Sequence, residues 1–194
     1  PYSVSETFLG RNQSQTAEEV VEALEEVGSV AQAAGVDLMG YISMAWGNPY
    51  GDGWSVGEVV TACELLVESG AGTISLADTV GLATAKQVGE LVGAVMAAGL
   101  GVEVAVHLHA RPEEAKGKIE AAYRAGCRRF DAAIGGMGGC PFAQDALVGN
   151  IATETLLMEL GSLGAELPEM DARAIEVLAR ASAGIAKKYG GMVQ

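Results

Sequence analysis

Short apolar runs alternate with longer stretches of helical period along most of the chain, and this alternation constrains the fold more than any other feature. The runs show little polar alternation, which is typical of parallel strands that are covered on both faces. They are predicted over 36–46, 71–77, 102–109 and 128–134. Their starts recur about every 26 to 35 residues, the spacing of a βαβ unit. The pattern therefore predicts an α/β protein with a parallel sheet.

The stretches between and after these runs carry the period and the end signals of helices. They are predicted over 17–34, 56–69, 85–98, 112–125, 153–160 and 172–188. Three of these helices begin with a capping box, in which a hydroxyl side chain bonds a free helix amide and an acid or amide three residues later reaches back. The boxes pair Thr16 with Glu19, Ser55 with Glu58, and Thr84 with Gln87. Glycines follow the first four helices, as residues that end helices with a positive φ commonly do, at 35, 70, 99 and 126.

Polar residues gather where the predicted strands end. Asp78 ends the second strand, His107 and His109 end the third, and a glycine-rich segment follows the fourth. Because the active site of a TIM (β/α)8 barrel lies at the C-terminal ends of its strands, this placement favours a barrel over a doubly wound sheet. A complete barrel takes roughly 200 to 250 residues. We therefore predict that residues 1–194 form a single domain, the second half of a barrel, with about four βα units and C-terminal helices.

Four strands alone would leave the inner face of the sheet open and two edges unpaired, an arrangement that is prone to aggregate. We expect the chain either to be part of a barrel of ordinary size or to close a barrel by pairing two copies, and the first interpretation is favoured. A noncatalytic half-barrel is the corresponding interpretation for the chain in isolation. A homo-oligomer, dimer or higher, is also expected.

Composition excludes several classes of function and compartment. The formal net charge of −13 argues against nucleic acids and anionic lipid surfaces as partners. The 3 cysteines form no CxxC pair, and an odd count favours a reducing compartment over a disulfide framework. No apolar run reaches the roughly 18 to 20 residues of a spanning helix, and no basic and apolar leader pattern opens the sequence. We therefore expect a cytoplasmic protein.

His107 and His109 are the 2 histidines of the chain, at i and i+2 in one strand. A period of two places both imidazoles on the same face, so their nitrogens can converge beyond the strand end. Such a pair can bind a divalent metal, or it can be a hydrogen-bonded pair without metal. Spacing alone leaves both interpretations open, and imidazole does not distinguish between several metals.

Three further residues are candidates on local sequence. Cys140 follows four glycines, and a thiol on such a loop can act as a proton donor or nucleophile, although turn formation also explains the glycines. Asn150 is a helix N-cap or a hard oxygen ligand. Asp78 is an acid/base group or a turn former. By contrast, Cys63 and Cys127 are interpreted as packing residues.

Three motifs in this order resemble the hydroxymethylglutaryl-CoA lyases of the DRE-TIM metallolyase superfamily. They are His-Leu-His at 107–109, Gly-Gly-Met-Gly-Gly-Cys-Pro-Phe-Ala at 135–143, and Gly-Asn-Ile-Ala-Thr-Glu at 149–154. The similarity runs from residue 3 to about residue 163. The cysteine loop distinguishes the lyases from related Claisen-type synthases, which share the histidine pair.

The resemblance implies an acyl-CoA substrate and a divalent cation, Mg²⁺ or Mn²⁺, held by His107, His109 and Asn150. The implied reaction cleaves 3-hydroxy-3-methylglutaryl-CoA into acetyl-CoA and acetoacetate. Cys140 would protonate the enolate, His107 would also relay a proton, and Asp78 would be an acid/base or orienting carboxylate. A related acyl-CoA or pyruvate-dependent aldolase or synthase is the alternative.

Two departures from the family pattern bear on the site. The family's Arg-Asp-Gly motif, which supplies a metal-binding Asp and an enolate-stabilising Arg, is absent, and Asp52-Gly53 follows Gly51 in a loop instead. Ala110 stands where the family usually has an Asp after the second histidine. We expect the loss of that carboxylate, which could orient an imidazole, to weaken metal binding.

Overall fold

The structure, a computed structural model, describes residues 1–138 and 148–189. Within them five strands form one parallel sheet whose spatial order follows the order along the chain. The strands are β1 (Tyr2–Ser3), β2 (Met39–Ser43), β3 (Thr73–Asp78), β4 (Glu103–Leu108) and β5 (Arg129–Asp131). Each strand therefore pairs with the next one in sequence, which is the order of a barrel wall and not the reversed order of a doubly wound sheet.

Seven helices accompany this sheet in the described residues. They are α1 (Glu6–Gln13), α2 (Ala17–Ala34), α3 (Val56–Glu68), α4 (Ala85–Ala97), α5 (Pro112–Arg124), α6 (Thr153–Ser162) and α7 (Ala172–Tyr189). The bounds of the last six agree with the predicted helices to within two residues. Among these helices, none is both long enough and apolar enough to cross a membrane.

The helix ends explain this agreement. Both halves of the capping box are present at Thr16 and at Thr84, while the Ser55 hydroxyl accepts the amide of Glu58 at 3.2 Å. Gly35 ends α2 with a φ of +64°, and its amide donates to the carbonyls of the last turn. Because each of these signals acts within a few residues, the sequence determines the helix bounds locally.

The structure contains a first strand and a first helix that the sequence did not predict. β1 has two residues and pairs with the end of β2, and α1 begins after Ser5, whose hydroxyl accepts the amide of Phe8 at 3.2 Å. Asp52, in the loop after β2, accepts the Ser5 hydroxyl at 2.5 Å and the Thr7 hydroxyl at 2.8 Å. Asp52 therefore fastens this loop to the start of α1, a structural task that differs from metal binding.

The fourth predicted strand is shorter than expected. β5 ends at Asp131, and a 3₁₀ turn occupies Ile134–Gly136, with Gly135 at a φ of +68°. Between them Ala133 donates to the carbonyl of Ile151 at 3.1 Å and pairs with Ala152 as an isolated bridge. The end of the predicted strand thus pairs with a returning segment, which brings residues 149–152 beside the sheet.

The two faces of the sheet differ in chemistry. One face packs on the helices, and its side chains on the central strands are apolar and at most 2% exposed, as at Ile74, Leu76, Val106 and Leu108. The other face carries Tyr41, Ser75, His107 and Asp131, which are linked by hydrogen bonds. Because side chains alternate along a strand, one register positions both the core and a polar inner face.

Candidate metal centre

The two histidines converge as their spacing predicts. The Nε2 atoms of His107 and His109 lie 3.2 Å apart. A cation about 2.1 Å from each nitrogen would subtend an angle of about 100° between them, which lies between octahedral and tetrahedral values. The separation therefore matches that of two imidazole ligands of one cation.

The opposite ring nitrogens show why these Nε2 atoms can accept a cation. The Nδ1 of His109 lies 2.8 Å from the carbonyl oxygen of Val148, and the Nδ1 of His107 lies 3.2 Å from Oδ2 of Asp131. Both partners are acceptors, so each Nδ1 carries a proton, and Nε2 is the nitrogen of each ring that can offer a lone pair to a cation. Two lone pairs at this separation repel unless a proton or a cation lies between them.

Burial favours the cation over the proton at His109. Loss of solvent lowers the pKa of His109, the bond to Val148 opposes this, and the nearby His107 lowers the pKa further. His109 is 4% exposed. The neutral form, which is the form that binds metals, is therefore favoured in the folded protein.

Asn150 reaches the same cleft through backbone pairing. It forms an isolated antiparallel bridge with His109, and the amide of Ala110 donates to the carbonyl of Gly149 at 3.1 Å. The Asn150 Nδ2 donates to the carbonyl of Met137 at 3.0 Å, which fixes the orientation of the side-chain amide. His107, His109 and Asn150 line one cleft of about 470 Å³. The structure thus brings the three predicted ligands together.

The donor set suits a hard divalent cation in part. Two imidazoles and an amide oxygen are acceptable ligands, but Mg²⁺ and Mn²⁺ favour carboxylate as well. Across residues 1–138 and 148–189, no three His, Cys, Asp or Glu side chains are grouped so as to hold a metal. A cation held in this cleft would therefore need Asn150 together with the histidine pair.

Asp131 is the residue of the site that sequence reasoning missed. Its Oδ2 lies 3.2 Å from His107 Nδ1 and accepts the Tyr41 hydroxyl at 2.9 Å. The bond with His107 is the main factor that holds the pKa of Asp131 below its usual value, with a further contribution from Tyr41. Its position at the end of β5 is the same signal that identified Asp78. The buried Ala110 follows His109, whose ring bonds the carbonyl of Val148, while Asp131 orients the ring of His107.

Asp78 lies apart from the cleft-lining residues. It is 1% exposed, and its Oδ2 lies 2.8 Å from the Nζ of Lys118. Both carboxylate oxygens also accept the amide of Ala83, at 3.2 and 3.3 Å. Asp78 is thus bonded to Lys118 and to the start of α4, and its predicted acid/base or orienting role stays a prediction.

The predicted proton donor, Cys140, lies outside the described residues. Both flanks of its segment contact the site: Asn150 donates its amide to the carbonyl of Gly138 at 3.2 Å, and Val148 accepts His109. The thiols of Cys63 and Cys127 are fully buried, and burial raises their pKa values to about 12 and about 11. These two cysteines are therefore unreactive packing residues, as predicted.

Comparison with known proteins now decides the family. The model of the family described as HMGL-like matches residues 2–181. The chain belongs to the HMGL-like family. A cytoplasmic 3-hydroxy-3-methylglutaryl-CoA lyase of Danio rerio is 37% identical over 164 residues, which cover 84% of this chain and 49% of that protein. The chain spans about half the length of the curated relatives it matches.

Solved structures of HMG-CoA lyases confirm the barrel. The enzyme from Brucella melitensis superimposes with a TM-score of 0.86 at 30% identity, over 96% of this chain and 65% of that one. An HMG-CoA lyase from Acinetobacter baumannii, solved with coenzyme A and 3-methylmalate, gives a TM-score of 0.84 at 29% identity, over 100% of this chain and 66% of that one. The parallel sheet of this HMGL-like chain is thus part of a TIM barrel, as the sequence predicts.

Proposed function

We propose that the protein is a divalent-metal-dependent carbon–carbon lyase that cleaves 3-hydroxy-3-methylglutaryl-CoA into acetyl-CoA and acetoacetate. The observation that carries the proposal is the pair of Nε2 atoms, 3.2 Å apart, at the C-terminal end of a barrel strand in an HMGL-like chain. The coenzyme A complex of the Acinetobacter relative supports an acyl-CoA thioester as substrate.

The proposed cation is Mg²⁺ or Mn²⁺, bound by His107, His109 and Asn150. When bound, such a cation polarises the C3 hydroxyl and the adjacent carboxylate of the substrate, so that the hydroxyl proton is lost more easily. Carboxylate and hydroxyl oxygens of the substrate suit a hard cation and complement the two imidazoles.

The remaining chemistry falls to side chains of the chain. In this proposal the C3 hydroxyl would pass its proton to the His107–Asp131 pair, and its oxygen would become the carbonyl of acetoacetate as the C2–C3 bond breaks. The thioester would accept the electron pair of that bond as an enolate. Asp131 holds the Nδ1 proton of His107, so the proposed relay from that imidazole is supported by a carboxylate at 3.2 Å. Cys140, two residues along the chain from Gly138, would then donate the proton that converts the enolate into acetyl-CoA.

The condensing-enzyme alternative is not favoured, because the relatives of Danio rerio and Bacillus subtilis, at 37% and 33% identity, are lyases by name. A cytoplasmic location and a homo-oligomeric assembly stay predictions. Named relatives include both cytoplasmic and mitochondrial lyases, so relatedness supports neither compartment over the other.

An assay of acetoacetate release tests the proposal directly. The protein as encoded is incubated with 3-hydroxy-3-methylglutaryl-CoA and Mg²⁺, and acetoacetate and free acetyl-CoA are quantified. We expect both products in equal amounts. Absence of acetoacetate from a folded protein that binds Mn²⁺, or formation of a condensation product from acetyl-CoA, would reject the lyase.

The Cys140→Ser variant separates proton donation from metal binding. A hydroxyl is a far weaker acid than a thiol, so we expect kcat to fall by about 10²- to 10⁴-fold, the range that general acid catalysis contributes. Mn²⁺ affinity, measured by calorimetry, should stay within about twofold of wild type. An equal loss of affinity and turnover would count against the proton-donor role.

A further inference from the structure

Lys118 is the least expected buried side chain of the molecule. It lies in the middle of α5 and is 1% exposed, although an ammonium group is costly to remove from water. Its Nζ donates to Oδ2 of Asp78 at 2.8 Å and to the carbonyl of His109 at 2.7 Å. A third, longer contact reaches the carbonyl of Gly81 at 3.4 Å. These acceptors satisfy all three donor positions of the ammonium group.

The three acceptors belong to two strand ends. Asp78 ends β3, Gly81 lies in the turn before α4, and His109 follows β4. A buried ion pair is by itself weak evidence for stability, because loss of hydration offsets the attraction. The position of the pair, directly behind a metal-binding imidazole, indicates a task other than stability.

The contacts of Lys118 fix His109 at two points. The carbonyl of His109 accepts directly from Lys118, which sets the backbone position. The His109 Nδ1 bonds the carbonyl of Val148, and the Val148 side chain packs closely on Gly81, where an added Cβ would lie 3.1 Å from the Val148 Cβ. Gly81 also accepts from Lys118. The ammonium group therefore contacts the backbone of His109 directly and reaches Val148, the partner of the His109 ring, through Gly81.

His107 shares none of these contacts in the described residues. Its ring is bonded by Asp131, which lies on β5 and is bonded in turn by Tyr41 and Ser75. The two imidazoles are therefore oriented by separate sets of side chains. A change at Lys118 should alter His109 more than His107.

We propose that Lys118, together with Asp78, is a positioning residue that holds His109 in the orientation required for metal binding. This inference deepens the proposed function and rests on its metal site. Neither Lys118 nor Asp78 touches the substrate in this account. They act through the backbone of His109 and through the segment at Val148.

The test uses the double variant Asp78→Asn/Lys118→Met of the protein as encoded. Removing both charges avoids an unpaired buried ion, which a single substitution would leave, and the Asn amide oxygen still accepts the Ala83 amide. The control is Lys86→Met, the same substitution on the neighbouring α4, where the lysine side chain is 84% exposed and its partner Glu90 is 57% exposed. Circular dichroism and thermal unfolding establish that each variant folds.

Two readouts follow for the folded variants. Calorimetric titration with Mn²⁺ should show affinity about 10- to 100-fold weaker in the double variant, the range for loss of groups that orient metal ligands, and unchanged in the control. Side-chain ¹⁵N spectra of the metal-free protein should change more at the His109 ring nitrogens than at Nδ1 of His107, the nitrogen that faces away from His109. The chain has 2 histidines, so the spectrum of a single variant, His107→Ala, assigns both sets of signals.

Several outcomes would overturn the proposal. Unchanged affinity and spectra in a folded double variant would reduce the pair to packing, and equal shifts at both histidines would indicate a general disturbance. A double variant that does not fold would make the pair a folding element, and a wild-type protein without Mn²⁺ affinity would remove the metal site. Failure of the lyase alone is distinguishable, because wild type would release no acetoacetate while the affinity loss and the selective His109 shift remained.

Discussion

His107 and His109 are two residues apart at the end of β4, yet the molecule holds them in different ways. The His107 side chain is 32% exposed and bonds a carboxylate, Asp131, from the neighbouring strand. His109 is 4% exposed, and its ring bonds the carbonyl of Val148 while Lys118 binds its backbone. One imidazole is thus oriented by a charged side chain and the other by the main chain.

The two arrangements affect different properties of an imidazole ligand, its basicity and its orientation. A carboxylate behind an imidazole increases its basicity as well as orienting it, whereas a neutral carbonyl mainly selects the tautomer and the direction of the ring. We therefore expect changes near His107 to alter affinity through charge and to depend on pH. Changes near His109 should act through geometry.

Removal of either imidazole is expected to weaken metal binding more than any other change. His107→Ala and His109→Ala each delete one of two nitrogen ligands, so we expect Mn²⁺ affinity to fall by more than the about 100-fold that changes behind a ligand produce. Calorimetry on the folded variants measures this, together with acetoacetate release. Retention of affinity in one of the two variants would show that the histidines do not share a cation.

A smaller effect is expected from Asp131→Asn. The amide keeps the shape but loses the charge, so we expect Mn²⁺ affinity to fall about tenfold, and ¹⁵N spectra should change more at His107 than at His109. Asp37→Asn is the matched control. Asp37 is exposed and lies just before β2, at the end of the strand that is opposite to the site. A response at His109 as large as that at His107 would contradict the separation of the two imidazoles.

The smallest effect concerns acid stability of the metal-free protein. The pKa of Asp131 is held below its usual 3.8, chiefly by the bond with His107, so the folded state favours the ionised form. Its contribution to the free energy of unfolding is present above pH 3.8 and is lost as the pH falls through the lower, folded pKa.

Urea unfolding from about pH 5 downward measures this contribution. Wild type should lose stability more steeply than Asp131→Asn, which has no carboxylate to protonate at this position. The Asp37→Asn control should follow wild type. Parallel curves for wild type and Asp131→Asn would mean that the His107 bond does not favour the ionised carboxylate.

Sequence reasoning succeeded where signals are local. Helix caps, terminal glycines and the apolar period act within a few residues, which explains the helix bounds, and a period of two placed both histidines on one face. β1 and α1 were missed, since β1 has two residues and α1 buries only Phe8 and Leu9.

Partners across the fold were harder to predict. Asp131 meets His107 because the register of β4 and β5 aligns them, which no local pattern specifies. Lys118 resembles a solvated helix residue among charged neighbours. However, its position among Ala115, Ile119 and Ala122 follows the apolar stripe of α5, and that period was the signal for its burial.

Pulsed electron paramagnetic resonance of bound Mn²⁺ determines directly whether both imidazoles bind one cation. In wild type labelled with ¹⁵N at histidine, the account predicts couplings from two imidazole nitrogens to a single Mn²⁺. One coupling should remain in His109→Ala if residual binding is forced at high Mn²⁺ concentration. A wild-type spectrum with one histidine coupling, or with none, would contradict the account.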